Sequence, residues 1–109
     1  MAKPLQIQIV ERARVLISDE RHWRRGHWAQ DAKGFDVFPN SATAIRRCAL
    51  GALIAAAYEF TDNFDAAYQI GHRALRPHFG TATLIHTNDI RGHAAVLAIF
   101  DEVIAAHAE

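Results

Sequence analysis

The stretch ATAIRRCALGALIAAAYE, residues 42–59, contains no helix breaker other than Gly51. At helical spacing Ile45, Cys48, Ala49, Ala52 and Ala56 share one face, and Leu50, Leu53, Ile54 and Ala57 widen it until little of the circumference is polar. A helix that is apolar nearly all round is stable in water only when other elements enclose it. The stretch therefore predicts a central helix with the rest of the chain wrapped around it, capped at its start by Asn40 or Ser41. Glycine inside a helix costs about 1 kcal/mol relative to alanine, so Gly51 predicts close approach by another backbone or an aromatic ring.

The flanking segments supply the enclosing elements. Leu5, Ile7 and Ile9 alternate, but Val10, Ala13, Leu16 and Ile17 follow helical spacing, which predicts a first helix over about residues 6–19 with Pro4 at its first turn. HWAQ (27–30) and FDVF (35–38), separated by Asp31-Ala32-Lys33-Gly34, read as a hairpin ended by Pro39 and anchored by Trp23 and Trp28. Thr61-Asp62-Asn63 caps a helix that runs from Phe64 toward Pro77. TATLIHT (81–87) is β-branched and reads as extended, a helical turn being the alternative. Asn88-Asp89 reads as the cap of a last helix in which Val96, Ile99, Phe100, Val103 and Ile104 repeat. The expectation is a mainly α fold: about four packed helices, with a small β-hairpin between the first and second, forming one compact helical domain over residues 1–109.

Composition narrows the function classes. Half of the 109 residues are apolar and 22% are charged, as in globular chains, and a single cysteine excludes an intramolecular disulfide. Gln6, Gln8, Glu11, Arg12 and Arg14 interrupt the N-terminal apolar run, so no cleaved export signal is expected and the cytoplasm is the expected location. No apolar window is long enough for a membrane span, so no membrane partner is expected. Net charge is zero, yet residues 1–50 carry +4 and the remainder −4, an asymmetry that can steer a partner or pair one region with the other.

Three constellations could carry chemistry. Cys48 beside Arg46, Arg47 and a helix N-terminus has the ingredients of a stabilised thiolate, with His86, His22 or His27 as base and Asn88 to orient the imidazole. The preferred reading of the same cysteine is a small buried hydrophobe. Arg21, Trp23, Arg24, Arg25 and Trp28, extended by Arg46 and Arg47, combine phosphate-neutralising and base-stacking side chains, as a single-strand nucleic-acid patch would. The competing account has both tryptophans plugging the hairpin onto the core. Seven histidines invite a metal reading, but neither His22 and His27 nor His72 and His78 have the i,i+4 spacing of paired helical ligands; no metal and no cofactor are expected.

Trp28 followed by the turn at Gly34, the block Cys48-Ala49-Leu50-Gly51-Ala52, the pair Asn88-Asp89 and the closing VLAIFDEVI of residues 96–104 together resemble a family of short bacterial proteins classed only as a domain of unknown function. The resemblance covers about residues 10–105. Members commonly carry tryptophan just before the asparagine, where this chain has Thr87. The resemblance implies that Cys48, Gly51, Asn88 and Asp89 form one structural unit, the cap of the last helix approaching the glycine side of the second. It implies no activity, cofactor or partner. The leading expectation is a small non-enzymatic accessory or protein-interaction domain, with a second copy or another protein as partner. A nucleic-acid-associated factor using residues 21–28 and a cysteine-dependent enzyme centred on Cys48 are the alternatives.

Overall fold

The computed structural model describes residues 3–107. Its helices are α1 (Leu5–Leu16), α2 (Ala49–Thr61), α3 (Phe64–Arg73), α4 (Thr81–His86) and α5 (His93–Ala106). Two short strands, β1 (Ala29–Gln30) and β2 (Arg46–Arg47), lie between α1 and α2. The fold is thus mainly helical with a small antiparallel β element where the hairpin is expected, and it has five helices rather than about four.

The centre of the molecule is α2. Every residue from Ala49 to Ala57 is buried, and α1, α3 and α4 pack against it, while α5 packs on α1. The core holds Ile7, Ile9, Val10, Leu53, Ile54, Leu84, Val96, Phe100 and Val103. Alanine and glycine let the neighbours come close: a Cβ on Gly71 of α3 would stand 2.7 Å from the Ile54 side chain and 3.0 Å from its backbone nitrogen. The charge asymmetry is partly resolved inside the fold, because Arg12 of α1 pairs with Glu59 of α2 at 2.9 Å and Arg14 pairs with Asp101 of α5.

Four expectations are corrected. The central helix begins at Ala49 and not near residue 42: Arg46 and Arg47 are drawn into the antiparallel ladder Ala29↔Arg47, Gln30↔Arg46, so Cys48 rather than Asn40 or Ser41 is the cap. The FDVF arm touches β1 only through the bridge Gln30↔Asp36, with Asp31 N–H donating to Phe35 O at 3.0 Å and Val37 N–H to Ala29 O at 3.1 Å. Non-local pairing with β2 therefore forms the regular ladder, and β1 lies between the two arms. Residues 81–86 are helical, because burial of Leu84 against the core overrides the weak helix preference of threonine and isoleucine. Lastly, Asn88 and Asp89 do not cap α5. They sit in a π-helical turn, Thr87–Arg91, and Gly92 at φ +98° precedes α5.

Candidate functional site

The strand β2 delivers the chain to Cys48, whose extended backbone places its side chain over the first turn of α2. There the sulfur accepts the Gly51 N–H at 3.3 Å, the role serine or aspartate more often plays. The adjacent Ala49 N–H is taken from a distance in sequence, by Asn88 Oδ1 at 2.9 Å. The extra residue of a π-helical turn swings the Asn88 side chain out of the α4 path and onto the end of α2.

Asn88 uses its full bonding capacity at this junction. Its Oδ1 also accepts from Trp23 Nε1 at 2.7 Å, while Nδ2 donates to Arg24 O at 3.2 Å and to Asp89 Oδ1 at 3.0 Å. Asp89 Oδ1 in turn accepts the Gly26 N–H at 2.9 Å, and Arg25 donates to the Asp89 carbonyl while its guanidinium lies 5.3 Å from the Trp23 ring centroid. Gly51 completes the junction, for a Cβ there would lie 2.0 Å from the Trp28 carbonyl oxygen. Cys48, Gly51, Asn88 and Asp89 thus meet in one place, and the close approach at Gly51 is made by a backbone carbonyl.

A cavity of about 150 Å³ opens beside this junction, lined by residues including Cys48, His27, Asn88 and Asp89. The arrangement does not activate the thiol. Burial pushes Cys48 above the ordinary thiol range, the amides of Gly51 and Leu50 offset only part of this, and Asp89 adds to the rise. His86 is exposed on α4 and does not line the cavity, so the Cys48, His86, Asn88 triad is not assembled. His27 does border it, but its Nδ1 faces Asp36 Oδ1 at 3.0 Å, and Asn88 has no bonding capacity left to orient an imidazole.

Cys48 therefore acts as a capping side chain. Cys48→Ser is expected to leave stability within about 0.5 kcal/mol, whereas Cys48→Ala should cost about 1 kcal/mol in urea unfolding. Because the folded thiol is harder to ionise, its contribution is present in full below the ordinary thiol range and is lost as pH rises through that range toward the raised folded value. That alkaline loss should vanish in Cys48→Ser, and a thiol reagent should label the native protein far more slowly than the unfolded chain.

The arginine and tryptophan set is dispersed among intramolecular contacts. Arg21 is held by Asp19 at 2.7 Å, Arg46 reaches the Asp31 carbonyl at 3.4 Å, and Arg47 donates to the Pro39 carbonyl at 2.8 Å. Trp23 is half-buried with its N–H on Asn88, and Trp28 is half-buried with its ring edge-on to Phe64 and Tyr68. Among the described residues only the Arg24 side chain of this set has no such contact. No group of three or more histidine, cysteine, aspartate or glutamate residues among them could hold a metal ion.

Sequence reasoning overlooked an aromatic row. Phe64, Tyr68 and His72 succeed one another along α3, and Phe38 of the hairpin meets Phe64 at 5.4 Å between centroids. The i, i+4, i+8 spacing of the three α3 rings was the available signal. The hairpin leaves two large apolar side chains open, Phe35 65% and Phe38 64% exposed.

No curated protein and no solved structure matches the chain. A family model does match, over residues 1–106, so the chain belongs to DUF6197, a family of unknown function.

Proposed function

We propose that this chain is a small non-enzymatic accessory domain that acts by binding another protein through its hairpin face. The observation that carries the reading is the exposure of three large apolar side chains along and beside the hairpin, Phe35, Phe38 and, at 39%, Ile45, whereas exposed Leu5, Val15, Phe60, Ile85 and Ile90 come from other segments. Exposed apolar groups are the usual material of contact surfaces. The hairpin loop is also held by internal hydrogen bonds. Asp31 Oδ1 accepts the N–H groups of Lys33 and Phe35, each at 2.9 Å, Gly34 adopts φ +84°, and Phe38 is braced by Phe64. A partner would therefore meet a preformed surface with little ordering cost.

A radius of gyration of 12.7 Å supports reading residues 1–109 as one domain. Among the described residues no helix is long and apolar enough to cross a membrane.

The test is recovery of the untagged protein from its native cells, with mass spectrometry of what co-purifies, beside the double variant Phe35→Ser/Phe38→Ser. A specific partner should fall at least about tenfold in the variant, the scale of one lost anchor residue. Equal recovery with a variant that retains native circular dichroism overturns the reading. Sedimentation at micromolar concentration separates a second copy of the chain from a different protein.

A further inference from the structure

We propose that the groove between Trp28 and Phe38 receives a cationic side chain, arginine or lysine, of the docking segment, with Asp36 as its counter-charge; this rests on the protein-binding reading above. The groove is a cavity of about 350 Å³ bordered by Trp28, Ala29, Asp36, Val37 and Phe38. Its two aromatic residues are braced by neighbouring rings. Trp28 meets Phe64 and Tyr68 edge-on at 6.2 and 5.7 Å, and Phe38 meets Phe64 edge-on at 5.4 Å. The face of an aromatic ring carries negative quadrupole density and attracts a cation set over it.

Charge completes the selection. The Asp36 side chain is 72% exposed, its Oδ1 faces His27 Nδ1 at 3.0 Å and Gln30 Nε2 at 3.4 Å, and its Oδ2 has no partner among the described residues. Asp62 and Asp65, on either side of Phe64 in the chain, pair with no lysine or arginine among those residues. Arg46 and Arg47, the basic residues of the neighbouring strand, donate to backbone carbonyls instead. A neutral apolar occupant would desolvate the Asp36 carboxylate without compensating it, and an anion would be repelled. A guanidinium or ammonium on an apolar stem satisfies both the rings and the carboxylate.

The probes are blocked tripeptides Gly-X-Gly with X arginine, lysine, glutamine or leucine, titrated into isotope-labelled protein and followed by NMR. The arginine and lysine peptides should move the Trp28 indole and the hairpin amides in a saturable way with millimolar affinity, and the glutamine and leucine peptides should not. Asp36→Asn and Phe38→Ala should each weaken the cationic peptides about threefold while core resonances stay in place. Equal response to the leucine or glutamine peptide, indifference to Asp36→Asn, or no response to any peptide at about 20 mM overturns the proposal. The two readings fail separately. A partner lost in Phe35→Ser/Phe38→Ser with no cationic peptide binding removes the cation site alone, and cationic peptide binding with no partner lost removes the protein-binding reading and with it the docking segment, leaving only a groove that binds cations.

Discussion

Replacing Gly51 with alanine is expected to lower the unfolding free energy by about 3 kcal/mol or more, although helix propensity alone favours alanine by about 1 kcal/mol. The sign is decided by what the new methyl group meets. Its Cβ would lie 2.0 Å from the Trp28 carbonyl oxygen and 3.0 Å from the carbonyl carbon, and these are backbone atoms with no rotamer to relieve the overlap. That same carbonyl accepts the Cys48 N–H at 3.2 Å, and the Trp28 ring is wedged against Phe64 and Tyr68. Room for the methyl requires the β1 segment to move off α2 and so disturbs the cap, the ladder and the aromatic row together. Gly80→Ala is the control: nothing lies within 4 Å of a Cβ there, so only the loss of glycine at the N-cap of α4 is felt, about 1 kcal/mol or less. The measurement is the urea midpoint of both variants, and a Gly51→Ala protein as stable as the parent would show that the carbonyl does not rest on the glycine.

Asn88→Ala should be comparably severe, costing about 3 kcal/mol, because it orphans several polar groups at once. Ala49 N–H and Trp23 Nε1 lose their acceptor, and Arg24 O and Asp89 Oδ1 lose a donor. The Ala49 N–H is buried at the start of the central helix, where water does not readily replace the lost partner. Asn88→Asp keeps an oxygen for Ala49 and Trp23 but cannot donate to Arg24 O, and it sets a second carboxylate beside Asp89, so an intermediate loss is expected. Besides the unfolding midpoint, the Trp23 indole proton reports directly: its hydrogen-bonded NMR shift should move in Asn88→Ala and stay near native in Asn88→Asp. An unmoved resonance in Asn88→Ala would show that Asn88 does not hold Trp23.

How far the candidate sites were legible follows the same division between near and far contacts. Gly51 was readable as a place of close approach because glycine in a strong helical run has a local cost that needs a local reason. The aromatic row was also legible in principle, since its helical members repeat at fixed spacing, but Phe38 joins it only across the fold. His86 illustrates the converse. Its nearness in sequence to Asn88 suggested a triad with Cys48, yet the helical path of residues 81–86 leaves its side chain exposed while the π-helical turn carries Asn88 inward.

The amino-acid pattern by itself determined that the apolar run within residues 42–59 must be enclosed, that helices form at both ends of the chain and after Asn63, and that a turn lies at Asp31–Gly34. Each of those is set by periodicity or by turn chemistry acting over a few residues. Tertiary structure alone decided that Arg46 and Arg47 form a strand, that residues 81–86 form a helix, and that Asn88 caps the second helix and not the last. In every one of these cases local preference is weak or adverse, and the outcome is settled by burial or by hydrogen bonds to partners distant along the chain, such as Ala49 and Asn88, 39 residues apart.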